Sequence, residues 1–162
     1  MPHKKNQKYR SWVEVDLDNF IANLKEIKRL IGAKADFMMT VKADAYGHGA
    51  IEISNIALKC GARMLGVANA DEGVQLRISG IEAPVVILGP STTAEIEQII
   101  KYNLIPSVSD LSFAKKFNNA LIKSHHKRPL HIEVDTGMGR GGAMHTEAVK
   151  LVLDLSGLSN II

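Results

Sequence analysis

Short apolar runs alternate along this chain with segments whose apolar residues recur at helical spacing. Five runs have the character of buried strands, namely 37–41, 64–68, 84–88, 104–108 and 130–134. The amphipathic segments are 16–31, 51–58, 71–78, 92–102, 110–123 and 146–155. This alternation is typical of parallel β/α units, in which helices cover the sheet. The pattern predicts an α/β fold with about five such units, and 160–162 indicates the start of a sixth strand.

Two architectures share this pattern. An open doubly wound sheet can be complete within 162 residues, whereas a (β/α)8 barrel of the TIM type typically takes ~250 residues. The dinucleotide fingerprint Gly-x-Gly-x-x-Gly is absent after the first predicted strand, as is a Walker loop. The strand that begins at the end of the sequence also favours an architecture that stops partway. We therefore expect 11–162 to form one domain, the amino-terminal part of a barrel.

Composition argues against several function classes. The net charge of +3 comes largely from residues 1–10, which we expect to be a disordered basic tail, because no basic stripe with interleaved aromatic residues follows. The single cysteine, Cys60, excludes an intrachain disulfide and a cysteine-based metal site, and we expect a structural thiol. With no membrane-spanning segment and no cleavable leader, the expectation is a cytoplasmic protein without nucleic-acid or membrane partners.

Polar, glycine-rich segments follow two of the predicted strands. Lys42 ends the first strand within VKADAYGHG, and Arg140 follows the fifth within VDTGMGRGG. Sites in parallel β/α proteins form at the carboxyl ends of the strands, so these segments are the candidate site. A lysine between Val41 and Ala43 is partly desolvated, which favours a neutral amine that can attack a carbonyl carbon. The same lysine can instead extend to solvent or pair with Asp44.

The other polar residues of these segments also leave alternatives open. Tyr46 can bind a phosphate oxygen or be an ordinary half-buried tyrosine, and we expect His48 to support the turn rather than act as an acid or base. The guanidinium of Arg140 suits a carboxylate or a phenolate oxygen. It can equally be a surface group paired with Asp135. The glycines of this segment, Gly137, Gly139 and Gly141, indicate unusual dihedrals or a close approach to a ligand.

Together, VKADAYGHG and VDTGMGRGG, with their spacing and flanking β/α units, resemble the alanine racemases, pyridoxal-phosphate enzymes of the barrel type. The resemblance extends from about Ser11 to the end of the chain. It implies that Lys42 holds pyridoxal 5'-phosphate as an internal aldimine and is one proton-transfer base, and that Tyr46 binds the phosphate. It also implies that Arg140 contacts the phenolic oxygen and the substrate carboxylate, with Met138 near the substrate. The implied reaction interconverts L-alanine and D-alanine and supplies D-alanine for peptidoglycan.

The resemblance also implies parts that these 162 residues do not contain. Members of the family form homodimers, in which the opposing base is a tyrosine from the partner's carboxy-terminal β domain. Later strands of the barrel carry phosphate-binding glycines. We therefore expect this chain alone to be poorly active or inactive. An early strand predicted at 11–15 corresponds to the piece that pairs with that domain, so Trp12 and Val13 should be exposed.

One position departs from the family pattern. Glu133 stands where many members have a lysine that is often carbamylated, and both groups are anions. The hypothesis is that Glu133 orients Arg140 without carbamylation. Two alternatives to a racemase remain at this point: a non-catalytic module that binds pyridoxal phosphate or complements another chain, and a complete doubly wound protein whose lysine is structural.

Overall fold

A computed structural model describes residues 10–162 of the chain and contains a parallel sheet of five strands. These strands are β1 (Met38–Thr40), β2 (Met64–Val67), β3 (Val85–Pro90), β4 (Ile105–Val108) and β5 (His131–Ile132). Each strand pairs in parallel with the next one along the chain. The predicted basic tail lies outside the described residues except for Arg10, which is exposed.

Helices connect these strands. They are α1 (Leu17–Ile31), α2 (Lys42–Gly47), α3 (Ala50–Lys59), α4 (Ala70–Ile78), α5 (Ile96–Lys101), α6 (Leu111–Lys123) and α7 (Ala148–Ser156), with a 3₁₀ turn at Thr93–Glu95. Of these, α2 is a single turn of left-handed backbone. None of the helices within residues 10–162 has the length and apolar character needed to cross a membrane.

The order of the strands decides between the two predicted architectures. A doubly wound sheet reverses its strand order at a switch point, whereas the order here runs from β1 to β5 without reversal. Because parallel crossovers are right-handed, a constant direction of winding places the crossover helices on one face of the sheet. This is the winding of a β/α barrel, of which five strands are formed. The prediction of a partial barrel is confirmed, and the doubly wound alternative is wrong.

Side-chain caps set where several helices begin. Asp16 Oδ1 accepts the Asn19 N–H over 3.0 Å at the start of α1, and Thr92 and Glu95 form the predicted capping box. The helix predicted from residue 71 begins at residue 70, because Asn69 accepts the Glu72 N–H over 3.0 Å and caps it. Cap residues therefore explain why α1 and the 3₁₀ turn begin where the sequence predicted, and why α4 begins one residue earlier than predicted.

The predicted early strand at 11–15 is wrong. These residues have no regular secondary structure. A strand needs a neighbour that shares its ladder hydrogen bonds, and within the described residues no strand lies beside this segment. Trp12 and Val13 are 54% and 77% exposed, as expected.

Two predicted strand ends are also corrected. The run 130–134 is divided into β5 and β6 (Val134–Asp135), and β6 pairs with β7 (Ala143–Met144), which the sequence did not predict. Gly89 and Pro90, predicted to close the third strand, belong to β3 itself. The start of a sixth strand is present only as one parallel bridge between Arg128 and Ile161.

Apolar side chains, most of them aliphatic, form the core between the sheet and the helices. Those with no exposed surface include Leu65, Val85, Ile87, Ile99, Leu104, Phe117 and Leu121. Cys60 ends α3 and packs against a smaller apolar cluster at Leu24 and Ala57, which fits a structural thiol. The core thus fixes the strand ends at which the candidate site is built.

Arg77 on α4 ties together the backbone at two neighbouring connections. Its Nε donates to the Tyr102 carbonyl oxygen over 2.9 Å, and its Nη2 donates to that of Asn103 over 3.0 Å. Its Nη1 donates to the carbonyl oxygens of Ile81 and Ala83, each over 2.8 Å. Partial burial lowers the pKa of Arg77, and the charge of Glu82 opposes that effect. The guanidinium therefore replaces solvent at four carbonyls near the entry to β3 and the end of α5.

We expect Arg77→Lys to lower the free energy of unfolding by about 2–3 kcal/mol, because an ammonium cannot reproduce four directed hydrogen bonds. Urea unfolding followed by circular dichroism measures this loss. Arg63→Lys is the matched control, since the Arg63 side chain is 72% exposed and, within residues 10–162, its side-chain hydrogen bond is a single one to Asp36, at 3.3 Å. Equal losses in the two variants would contradict the role given to Arg77.

Candidate active site

A cleft of about 540 Å³ opens at the carboxyl ends of the five parallel strands. Every strand contributes to the lining at its carboxyl end or within two residues of it: Lys42 after β1, Ala68 after β2, residues 88–90 of β3, Ser109 after β4 and Glu133 after β5. Arg140 and the glycines after it close the cleft on the far side. The volume is in the range of small-molecule sites, which is about 300–1,000 Å³. The cleft is thus at the edge where parallel β/α proteins build their sites.

Two of the four predicted site residues meet in this cleft. Lys42 and Arg140 both line it, Lys42 half-buried and Arg140 exposed. Tyr46 is 62% exposed and lies beside Lys42, whose Nζ is 5.9 Å from the centroid of the tyrosine ring, but it lines a neighbouring pocket. Met138 is 76% exposed and does not line the cleft.

The segment that carries Lys42 and Tyr46 has an unusual backbone. In α2, residues 43–46 all have φ between 51° and 56°, the left-handed helical region. That conformation costs roughly 1–2 kcal/mol for each residue other than glycine. The turn brings the ring of Tyr46 back over the Lys42 amine. Its cost has to be offset by contacts made elsewhere.

Hydrogen bonds at the turn supply part of that compensation. The Ala45 N–H donates to the Val41 carbonyl oxygen over 2.9 Å, and His48 Nδ1 donates to the Ala45 carbonyl oxygen over 2.8 Å. Asp44 Oδ1 accepts the Ala50 N–H over 2.7 Å and so caps α3. The expectation that His48 supports the turn is confirmed. The alternative in which Asp44 pairs with Lys42 is wrong, because no ion pair joins the two side chains within residues 10–162.

Asp135 holds the second glycine-rich segment in the same manner. Its carboxylate accepts the N–H groups of Gly137 over 2.8 Å and Gly139 over 2.9 Å. These two bonds, with that of Gly137 the stronger influence, hold the pKa of Asp135 below its usual range. At the base of the segment, Gly142 has φ 102° and a Cβ there would lie 2.7 Å from the Asp135 nitrogen, so only glycine fits. Asp135 therefore orders the loop and does not pair with Arg140.

The acidic and basic side chains near the cleft differ in whether they have hydrogen-bond or ion-pair partners. Asp44 and Asp135 accept backbone N–H groups, whereas across residues 10–162 neither Lys42 nor Arg140 has a carboxylate within ion-pair distance. Glu133 lines the cleft as an anion, half-buried and without an ion pair to Arg140. Two cations therefore remain available to an anionic or carbonyl-bearing ligand, and the orienting role of Glu133 stays a prediction.

Sequence reasoning missed one residue at the edge of the cleft, Glu72 on α4. Its carboxylate accepts the N–H of Ala43, directly after Lys42. The available signal was its position three residues after the cap Asn69, where a glutamate commonly bonds to backbone at the helix start.

Comparisons with known proteins agree with this geometry. A profile of the family described as alanine racemase, N-terminal domain, matches residues 15–162. Alanine racemase 1 of Clostridium acetobutylicum is 42% identical over 153 residues, which are 93% of this chain and 39% of that protein. The chain thus spans about two fifths of the length of such relatives.

Two solved structures show the same arrangement of elements. The alanine racemase of Clostridium difficile 630 superposes with a TM-score of 0.86 at 35% identity, over 90% of this chain and 38% of that one. The alanine racemase from Bacillus anthracis with bound L-Ala-P gives 0.85 at 34% identity, over 95% and 40%.

Ala43→Val tests the left-handed turn. A β-branched side chain is strongly disfavoured at positive φ, so we expect the free energy of unfolding to fall by about 1–2 kcal/mol. Ala43→Gly is the control, because glycine tolerates this φ and its added chain entropy offsets the relief, leaving stability within about 0.5 kcal/mol of wild type. Chemical denaturation of the three proteins measures the difference, and a Val variant as stable as the Gly variant contradicts the left-handed assignment.

Acid should loosen the loop that Asp135 orders. A lowered pKa means that the bonds from Gly137 and Gly139 are present above the usual carboxyl range, and that their contribution is lost as the pH falls through the lowered value. We expect amide-exchange protection of both glycines at pH 6 and its loss toward pH 2. Asp135→Ala should lack that protection already at pH 6; equal protection in the variant contradicts the role.

Proposed function

The chain belongs to the family of alanine racemase N-terminal domains, and from that premise we propose that it is the lysine-bearing part of an alanine racemase dependent on pyridoxal 5'-phosphate. The interconversion of L-alanine and D-alanine, which supplies peptidoglycan synthesis, is proposed for the whole enzyme. One observation carries the proposal: Lys42 and Arg140, 98 positions apart in sequence, line one cleft at the carboxyl edge of the sheet.

The residues at the cleft fit this cofactor. A half-buried amine can condense with the cofactor's aldehyde carbon, and the guanidinium can meet an oxygen anion. We propose that Lys42 holds the cofactor covalently, that Tyr46 binds its phosphate, and that Arg140 binds its phenolic oxygen. When bound, the cofactor supplies a conjugated system that takes up the electron pair left when the substrate loses its α-proton.

The substrate would meet the same side chains. The Lys42 amine would take or return the α-proton as a base. Arg140 would orient the substrate carboxylate through two parallel hydrogen bonds, and Met138 would lie near the substrate. Inversion requires a base on each face of the α-carbon, and Lys42 supplies one of them. Residues 11–162 are thus proposed as the amino-terminal part of the barrel, and the dimer and the cytoplasmic location stay predictions.

A second candidate function is a module that binds the cofactor or complements another chain without catalysing the reaction. The chain spans 39% of the length of the Clostridium acetobutylicum relative, and the second base has no assigned residue here. Binding and racemisation therefore have to be measured separately.

The test of binding uses the absorbance spectrum and peptide mapping. Incubation with pyridoxal phosphate followed by borohydride should fix the cofactor on Lys42, and Lys42→Ala should reduce the fixed amount at least tenfold. Lys101→Ala is the matched control, since its Nζ also lies over a tyrosine ring, 5.2 Å from that of Tyr102, but outside the cleft. We expect this control to match wild type.

Racemisation then separates the two candidates. We expect little or no D-alanine from L-alanine with residues 1–162 alone, because Lys42 is the only base proposed among them, and turnover comparable to a complete racemase would contradict that expectation. Modification spread evenly over the surface lysines, with Lys42→Ala unchanged, would falsify the proposed function.

A further inference from the structure

Glu72 connects the ends of two neighbouring strands at the edge of the cleft. Its Oε1 accepts the Ala43 N–H over 2.9 Å, and its Oε2 accepts the Ala68 N–H over 2.7 Å. Ala43 directly follows Lys42, and Ala68 itself lines the cleft. One half-buried carboxylate therefore holds the backbone on both sides of the gap between β1 and β2.

The strands need such a group at this point. The last hydrogen bond between them runs from the Val41 N–H to the Gly66 carbonyl oxygen, at 2.8 Å. Beyond it the backbone of β1 enters the left-handed turn and that of β2 enters α4, so the ladder cannot continue. The N–H groups of Ala43 and Ala68 would otherwise have no acceptor from a strand. Ala68 is half-buried, and a donor that is left unsatisfied away from water costs about 1–3 kcal/mol.

We propose that Glu72 is a positioning residue that fixes the left-handed turn and thereby holds the Lys42 amine at the cleft. Its action passes through the Ala43 N–H, one peptide bond from Lys42, and involves no contact with a ligand. The consequence for Lys42 rests on the proposed function; the anchoring of the two strand ends does not.

Both the charge and the length of this side chain matter. A carboxylate accepts hydrogen bonds at both oxygens and makes stronger bonds to N–H groups than a neutral acceptor does. Its place in the first turn of α4 adds the favourable helix dipole. Glutamine would present an NH2 group to one of the two donors, and aspartate, shorter by one methylene, would reach only one of them.

Glu95 provides a matched control within the same protein. It is also half-buried, and its carboxylate also bridges two connections, accepting the Thr92 N–H over 2.6 Å and the Ala70 N–H over 3.3 Å. Neither it nor its two donors line the cleft. Glu95→Gln therefore removes a similar structural bridge without touching the backbone next to Lys42.

The experiment measures how much pyridoxal phosphate borohydride fixes on Lys42, at a concentration that half-saturates the wild-type chain. We expect Glu72→Gln to weaken the apparent affinity about tenfold, which corresponds to one lost hydrogen bond to a charged group, while Glu95→Gln stays within about twofold. Glu72→Asp should restore part of the loss. Amide exchange at Ala43 and Ala68 is the second readout and should accelerate only in the Glu72 variants.

Each outcome decides the inference. The inference is overturned if Glu72→Gln changes neither the amount of cofactor fixed on Lys42 nor the amide exchange at Ala43 and Ala68. It is also overturned if Glu95→Gln loses as much fixed cofactor as Glu72→Gln, which would identify a general effect on stability. Where Glu72→Gln does not fold, Glu72→Asp carries the same comparison with Glu95→Asp. A wild-type chain that is not modified at Lys42 overturns the proposed function instead, and the exchange at Ala43 and Ala68 still decides whether Glu72 anchors the strand ends.

Discussion

Hydrogen bonds from backbone amides to carboxylates hold three segments at or beside the cleft. A parallel sheet ends with unpaired peptide groups, because the strands diverge into helices and loops there. Glu72 accepts N–H groups on both sides of the gap between β1 and β2. Asp44 accepts one at the start of α3, and Asp135 accepts those of the glycine-rich loop after β6. Since these bonds replace the missing ladder partners, the loops can depart from regular geometry and keep a defined shape.

The same bonds contribute to the electrostatics of the cleft. Asp44 and Asp135 are bound to backbone N–H groups and Glu133 makes no ion pair, so within the described residues Lys42 and Arg140 line the cleft without an ion-pair partner. An unpaired lysine and an unpaired guanidinium that line the same cleft suit a ligand that carries both a carbonyl carbon and anionic oxygens. The proposed chemistry thus has a physical basis, because Asp44 and Asp135 bind backbone N–H groups instead of the two basic side chains.

Parts of this arrangement were predictable from sequence because they depend on local patterns. The five apolar runs became the five strands, and the caps at Asp16 and Thr92 were found where polar residues precede helical periodicity. The order of the strands was not predictable, because barrels and doubly wound sheets share one alternation and differ only in which strands pair. The left-handed turn was missed for a different reason. Ala43 and Ala45 carry no signal for positive φ, and the bonds that impose it come from residues distant in sequence, such as Glu72.

The glycine-rich loop shows how far glycine content alone predicts backbone conformation. Gly137 and Gly139 do have positive φ, as their density indicated, but the most constrained position is Gly142, where a Cβ would meet the backbone of the strand it follows. β6 and β7 pair over two residues only, and Arg140 lies in the loop between them. The loop that carries Arg140 therefore depends on backbone packing at its base, whereas the turn that follows Lys42 depends on the Glu72 carboxylate. Because separate contacts hold the two segments, Lys42 and Arg140 can be far apart in sequence and still line one cleft.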